Sequence, residues 1–285
     1  MTVTKGIILA GGSGTRMFPV TNVYSKQLIM VYDKPLIYYP LSTLMLSGIK
    51  DIMIISNGES IPSYSKLLSD GSHLGINIEY GVQKEPRGIA EAFIIADEFI
   101  GEDNVALILG DNIFYGEYNK FRNAVNGNGN ATIFGYYVSD PERYGVIEFD
   151  GEKPVSIIEK PKEHVSHYAV PGFYIYDSSV VDIARSLKPS DRGELEITDV
   201  NNIYLGKDKL DVVKLGRGFA WLDTGTPASM MDASNFIETI EKRQSLKIGC
   251  IEEIAMRMDY IGRDEFIKLT SSYPDCAYRD YLLSI

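Results

Sequence analysis

An α/β fold, with a mostly parallel sheet flanked by helices, a smaller mixed or antiparallel part and C-terminal helices, is what the order of apolar runs predicts. Three observations carry that expectation. Short, near-continuous apolar runs alternate with longer amphipathic ones over the first 110 residues, and strands apolar on both faces belong in a parallel sheet covered by helices. Beyond residue 130 the runs become short and β-prone, with turn signals such as Asp140-Pro141 and Asp150-Gly151 between them. From residue 228 onward, apolar and charged residues recur at helical spacing.

The elements follow in order. Residues 6–10 (GIILA) read as a buried strand running into the glycine-rich loop 11–14. Residues 35–47 carry Leu36, Tyr39 and Leu44 at helical spacing, and 51–56 (DIMIIS) form a second buried strand. A helix at 62–68, a short strand at 77–80 and a helix at 89–99 lead to a third buried strand, 104–109 (NVALIL), which ends at Gly110-Asp111. The segments 131–138, 145–149, 155–159, 168–176 and 210–215 read as strands, with helices at 180–187 and 198–205. Ligands of such sheets collect at the carboxyl ends of the strands, where the loops 10–16 and 110–112 lie.

Composition narrows the function. The 285 residues include 28 Lys+Arg against 39 Asp+Glu, a net charge of −11. That balance disfavours nucleic-acid binding, which draws on many cationic contacts to phosphate, so an anionic ligand needs a local basic island. Cys250 and Cys276 are the only cysteines and show no paired spacing, which excludes a disulfide scaffold and gives no zinc pattern. His164 and His167 lie in a polar, Pro-flanked stretch and read as loop surface. No apolar run reaches the ~18 residues of a membrane span, and the N-terminus lacks a secretory pattern, so a cytoplasmic location is expected.

The loop Leu9-Ala10-Gly11-Gly12-Ser13-Gly14-Thr15-Arg16 after a buried strand lets backbone N–H groups converge on an anion. Met17 stands where a dinucleotide fingerprint needs its third glycine, and no G-K-[ST] occurs anywhere, so the dinucleotide and Walker readings both fail. The string continues through Phe18-Pro19, Ser25-Lys26-Gln27 and Asp33-Lys34-Pro35. G-G-x-G-T-R-x-x-P, with a Lys ten residues after the Arg and a K-P beyond, resembles the signature of the sugar-1-phosphate nucleotidylyltransferases. Further blocks narrow the resemblance to the glucose-1-phosphate thymidylyltransferases: the stretch 38–45, Leu109-Gly110-Asp111-Asn112, Arg143-Tyr144-Gly145, Glu159-Lys160-Pro161, the stretch 192–199 and Trp221-Leu222-Asp223-Thr224-Gly225. They span residues 5 to about 260.

The resemblance implies a Rossmann-like, nucleotide-diphospho-sugar transferase fold. It divides the chain into a catalytic unit, 1–245, with a nucleotide part at about 1–130 and a sugar part at about 131–227, and a helical oligomerisation segment, 246–285. The implied reaction is Mg²⁺-dependent transfer of a thymidylyl group from dTTP to α-D-glucose 1-phosphate, giving dTDP-glucose and pyrophosphate. The sugar-phosphate oxygen is already an anion, so the step needs alignment and charge neutralisation rather than a general base.

Residue by residue, the resemblance makes Arg16, Lys26 and Lys160 the catalytic cations. Leu9, Gly11, Gly12, Ser13, Gly14, Thr15, Arg16, Gln27, Gln83, Pro86, Gly88 and Asp111 surround the nucleotide, the Gln83 amide offering donor and acceptor together to the thymine edge. Asn112, Tyr144, Gly145, Glu159, Lys160, Val170, Tyr174, Arg192 and Trp221 surround the sugar phosphate, although Arg192 could instead cap the helix near Glu194 and Tyr174 could be core. Asp111 and Asp223 match the Mg²⁺ ligands, a pair suited to an ion that takes few carboxylates plus phosphates and water.

The pattern is not followed throughout. Where the family commonly reads Q-P-S-P-[DE]-G-L-A-Q-A, this chain reads Gln83-Lys84-Glu85-Pro86-Arg87-Gly88-Ile89-Ala90-Glu91-Ala92, and Pro171 replaces a common Thr. A UTP- or ATP-using relative and a non-catalytic sugar-nucleotide-binding homologue therefore stand as alternatives. The apolar tail, including Ile251, Ile254, Ile261, Phe266, Leu282 and Leu283, is expected to bury surface between subunits of a homotetramer. The longer relatives so assembled bind a pathway end product such as dTDP-L-rhamnose as a regulator at a second site.

Overall fold

The computed structural model describes residues 2–12, 14–127 and 129–285. Its centre is a parallel block: β1 (Lys5–Leu9) lies between β4 (Asp51–Ser56) and β6 (Val105–Leu109), and β5 (Asn77–Val82) extends the β4 side. Between β1 and β4 the chain forms a small antiparallel pair, β2 (Met30–Val31) and β3 (Lys34–Pro35), then helix α1 (Tyr38–Leu46). Helices α2 (Ile61–Leu68), α3 (Glu91–Ile95) and α4 (Asp97–Ile100) complete the crossovers. The expected 89–99 helix is thus two short ones meeting at Ala96.

The chain leaves β1 toward β4 on one side and later returns through β6 on the other. The sheet order therefore reverses between β1 and β6, and a crevice opens beyond their carboxyl ends. Leu9 pairs with Leu109 there, and the Gly110 N–H donates to the Leu9 carbonyl at 2.9 Å. The loops at 10–16 and 110–112 leave the sheet at this point.

The β-prone stretch, expected as a mixed or antiparallel part, continues the same sheet. β7 (Asn112–Tyr115) and helix α5 (Asn119–Val125) precede β8 (Ala131–Tyr137), β9 (Gly145–Asp150), β10 (Lys153–Glu159), β11 (Tyr168–Ala169) and β12 (Phe173–Tyr176). β12 pairs antiparallel with both β6 and β8, which joins the two halves. The expected 168–176 strand is broken because Pro171 has no N–H for a ladder; instead the Phe173 N–H closes a tight turn onto the Pro171 carbonyl at 2.7 Å. Helices α6 (Val180–Ser186) and α7 (Ile197–Gly206) and strand β13 (Leu210–Lys214), parallel to β8, follow. β14 (Ala220–Asp223) pairs with β7, Asp223 opposite Asn112.

The C-terminal helices α8 (Pro227–Gln244), α9 (Ile251–Arg257), α10 (Arg263–Ser271) and α11 (Ala277–Ser284) fulfil the helical expectation. Their apolar residues go elsewhere than expected. Ile251, Ile254, Ile261, Phe266 and Leu282 are buried in this chain's own core, in one cluster with Leu41, Leu44 and Met45 of α1. The Tyr260 hydroxyl donates to the Met45 carbonyl at 2.8 Å and fixes the turn after α9 on α1. Only Ile267 and Leu283, 44% and 46% exposed, remain as large apolar surface within these last three helices.

Candidate active site

Three adjoining chambers open along the β1/β6 crevice, and Arg16 and Asp111 line all three. The first, about 220 Å³, is walled by Gly11, Gly12, Gly14 and Thr15 with Lys26 and Gln27. The second, about 330 Å³, is bounded by Leu9, Gln83, Pro86, Gly88 and Ile89. The third, about 660 Å³, holds Asn112, Tyr144, Gly145, Glu159, Lys160, Val170, Tyr174, Trp221 and Asp223. Ser13 lies outside the described residues. Every other expected site residue except Arg192 lines one of these chambers.

The polar centre is built from the ends of β1, β6 and β14. The Lys26 ammonium lies 2.5 Å from Asp111 Oδ2, and Asn112 Nδ2 donates to Asp111 Oδ1 at 2.7 Å. The backbone N–H and hydroxyl of Thr224 both donate to the Asp111 carbonyl, at 3.1 and 2.7 Å, which binds the turn after β14 to the end of β6. A Cβ at Gly225 would lie 3.1 Å from Arg16 Nη2 and 3.2 Å from both Asp223 carboxylate oxygens, so a residue without a side chain lets these groups approach. Arg143, on which the sequence placed no role, reaches Asp223 Oδ2 at 3.5 Å. Its signal was its place in the R-Y-G block.

Burial pushes the Asp223 carboxyl above its ordinary range. The Asp111 charge adds to that, against weaker pulls from Lys26, Arg143 and Arg16. Two carboxylates facing one water-poor corner create a demand for positive charge. Among the described residues no group of three or more His, Cys, Asp or Glu side chains gathers as a metal cluster. A pair of aspartates beside a glycine-rich loop suits Mg²⁺, which takes one or two carboxylates and fills its remaining positions with water and phosphate.

The third chamber is ordered by Glu159. Its Oε2 accepts from the Thr198 hydroxyl at 2.6 Å, and a Cβ at Gly145 would sit 3.3 Å from that same oxygen. Lys160 follows in the left-handed region at φ 42°, its ammonium 3.8 Å from Glu159 Oε1 and half exposed to the chamber. Arg192 stands just outside, its guanidinium shared among Glu196, Glu159 and Glu194 at 2.7, 3.2 and 3.4 Å. It holds Glu159 from behind.

In the second chamber the amides are oriented by their neighbours. The Ser25 hydroxyl donates to Gln27 Oε1 at 2.9 Å and accepts from the Tyr64 hydroxyl at 2.7 Å, which turns the Gln27 NH₂ inward. Burial drives the Tyr64 hydroxyl up to about 12, so it remains a donor at neutral pH. Gln83 is committed the opposite way. Its Nε2 donates to Glu91 Oε2 at 2.9 Å and faces the Gly88 carbonyl at 3.5 Å; with both N–H bonds turned to protein acceptors the amide presents its oxygen, where the sequence expectation had it offer donor and acceptor together. Ser25 had its signal in the Ser25-Lys26-Gln27 string; Tyr64 and Glu91 have no local sequence signal for these duties.

With this geometry in place, the comparisons with known proteins decide the family. The family model described as nucleotidyl transferase matches residues 5–240. A glucose-1-phosphate thymidylyltransferase of Mycolicibacterium smegmatis is 54% identical, over 99% of this chain and 98% of that protein. The chain belongs to the nucleotidyl transferase family, among the glucose-1-phosphate thymidylyltransferases. A relative of the same name from Neisseria meningitidis is 52% identical over 99% of both chains. A Bacillus anthracis crystal structure provisionally given that name superposes with a TM-score of 0.77 at 41% identity, covering 82% of this chain and 94% of that one. UDP-glucose pyrophosphorylase with UDP-glucose shares the fold, at a TM-score of 0.74 and 23% identity over 84% of this chain and 99% of that one. The activity of this nucleotidyl transferase is nucleotidyl transfer. Among its described residues no helix is long and apolar enough to cross a membrane.

Proposed function

We propose that the chain transfers a thymidylyl group from dTTP to α-D-glucose 1-phosphate, releasing pyrophosphate and forming dTDP-glucose. The observation that carries the reading is the position of Arg16 and Asp111 at the common corner of three chambers. One is walled by a glycine-rich loop and cations, one by amides, and one by a glutamate and a lysine. A reacting phosphorus at that corner has its triphosphate tail, its base and its acceptor each in a separate chamber.

In the step, a phosphate oxygen of the sugar phosphate bonds to the α-phosphorus while the bond to the β-phosphate oxygen breaks, and the electron pair leaves on pyrophosphate. No proton need move. Arg16 and Lys26 offset the charge of the triphosphate, and Lys160 holds the acceptor phosphate beside Glu159, whose carboxylate accepts from sugar hydroxyls. Positioning and neutralisation by groups already in place lower the barrier without reorganisation. Asp111 and Asp223 would hold Mg²⁺, whose charge polarises the phosphoryl oxygens when bound.

Residues 1–245 are then the catalytic unit and 246–285 an oligomerisation segment of a homotetramer, with a dTDP-sugar such as dTDP-L-rhamnose as regulator. The exposed Ile267 and Leu283 and the resemblance support this; a monomeric mass by light scattering at micromolar concentration overturns it. The substrate reading is tested by pyrophosphate release with glucose 1-phosphate and each of dTTP, UTP, CTP, ATP and GTP. dTTP should exceed UTP modestly, since one methyl is worth roughly 1–3 kcal/mol in an apolar pocket, with purines rejected strongly. Equal efficiency with ATP and dTTP would sink it.

A further inference from the structure

We propose that Glu91 is a positioning residue for base choice: it fixes the Gln83 amide with its oxygen toward the nucleotide chamber, so that the site selects bases carrying a ring N–H at that edge. The inference rests on the reading of the second chamber as the base site and states what that site selects.

Glu91 opens helix α3, three residues beyond Gly88, and is only 7% exposed. Its two oxygens are divided. Oε2 accepts from Gln83 Nε2 at 2.9 Å, and Oε1 pairs with Arg87 Nε at 3.0 Å. An ionised carboxylate has no hydrogen to donate, so only the nitrogen end of the Gln83 amide can face it. The Gly88 carbonyl, 3.5 Å from the same nitrogen, is also an acceptor and favours the same orientation. The amide oxygen must then point away from Glu91. A Cβ at Gly11 would lie 2.4 Å from it, which places the oxygen directly over the bare backbone of the phosphate loop at the chamber wall.

An amide at position 91, as the family pattern commonly has, would carry a donor and an acceptor and would leave both orientations of Gln83 satisfied. The carboxylate removes that freedom. Arg87 Nε pairs with Glu91 Oε1 at 3.0 Å and lies 3.8 Å from Glu85 Oε2, so a cation stands beside the carboxylate on the side away from Gln83. A fixed acceptor pairs with the N3–H of thymine or uracil and opposes the unprotonated N3 of cytosine. Among purines it favours guanine, with its N1–H, over adenine. Opposing an acceptor to an acceptor leaves two buried groups unpaired, the arrangement that discriminates most strongly.

A glutamate in the first turn of a helix also stabilises that turn, and a purely structural role would lower efficiency with every nucleotide alike. The experiment therefore reads a ratio. kcat/KM is measured for dTTP and dCTP with glucose 1-phosphate in the full-length native protein, Glu91→Gln, Glu91→Asp and Arg87→Gln. Glu91→Gln should reduce the dTTP:dCTP ratio at least about tenfold by allowing the Gln83 amide to turn, while Glu91→Asp and Arg87→Gln, which keep the carboxylate, hold the native ratio within about threefold. If Glu91→Gln does not fold, Glu91→Ala carries the same comparison. An unchanged ratio in the variant lacking the carboxylate, or an equal shift in Arg87→Gln, overturns the proposal. Should the native protein prefer purine nucleotides, the thymidylyl reading fails by itself, and the GTP:ATP ratio in the same variants decides the role of Glu91.

Discussion

Trp221 donates its indole N–H to the Asn112 side-chain oxygen at 2.5 Å, and Asn112 in turn donates its amide to Asp111. The two residues lie on neighbouring strands, β14 and β7, and the contact fixes which end of the Asn112 amide faces the central aspartate. Trp221→Phe removes the donor but keeps most of the ring against Tyr136 and Tyr144. The expected result is a loss of about 1–2 kcal/mol in stability by denaturant unfolding. Turnover should fall more steeply than that change explains, because Asn112 is free to rotate; unchanged turnover removes Trp221 from the relay.

The aspartate corner gives a second expectation. Asp111→Asn or Asp223→Asn should lower Mg²⁺-dependent turnover by several orders of magnitude without unfolding the chain, as checked by circular dichroism alongside the pyrophosphate assay. The pH dependence has a definite sign. Burial and the Asp111 charge raise the Asp223 pKa, so protons compete for that carboxylate at a higher pH than for an ordinary aspartate. The Mg²⁺ concentration needed for half-maximal rate should rise as pH falls, beginning above the usual carboxylate range. A requirement that stays flat down to pH ~4 would separate Asp223 from the metal.

Gly88 is required for two separate reasons. Its φ is +105°, and a Cβ would meet the Leu195 backbone at 2.4 Å. That backbone cannot retreat, since the Leu195 N–H donates to the Arg87 carbonyl and its own carbonyl accepts from the Ala90 N–H. Gly88→Ala should therefore displace the 85–91 loop and raise KM for the nucleotide more than for the sugar phosphate, with strain of about 1–3 kcal/mol visible in unfolding. Equal changes in both KM values would show that the loop does not belong to the nucleotide side.

Where the fold was legible in sequence, the reason was local. The strands at 51–56 and 104–109 announce themselves because burial on both faces makes every position apolar. The loop at 11–16 is readable for the same kind of reason, since glycines there serve the loop's own backbone. The β7–β14 pair was not readable. Asn112 and Asp223 are brought opposite each other by a long-range register that neither segment encodes alone. Gln83 was legible as a residue of the crevice, but which atom it presents there depends on Glu91, whose carboxylate reads locally as a helix-start residue. The tail illustrates the limit of patterning: its helical period shows an apolar stripe, but the period cannot tell whether α1 of the same chain or another subunit covers it.

The last expectation concerns a buried ion network that ties the site's flank to the tail. Lys34, between the phosphate loop and α1, pairs with Glu241 at 3.0 Å and with Asp33, and Lys247 also contacts Asp33 and lies 3.4 Å from Glu241. Lys34 and Glu241 are almost wholly removed from water. Removing Lys34 leaves two carboxylates sharing the single cation Lys247, so Lys34→Met should cost about 1–3 kcal/mol by chemical denaturation. The pH sign follows from Asp33. Burial alone would raise its pKa, but Lys34 and Lys247 outweigh that and hold it below the ordinary 3.8. A carboxylate depressed in the folded state contributes stability above its unfolded pKa and loses it as pH falls through the lower folded value. The native protein should therefore keep this contribution at neutral pH and lose it progressively below pH ~4, whereas Asp33→Asn lacks it throughout. The difference in unfolding free energy between native and Asp33→Asn, measured from pH 7 to pH 3, should shrink toward acid. A difference that is constant or grows in acid would mean that the network does not hold Asp33 in its charged form.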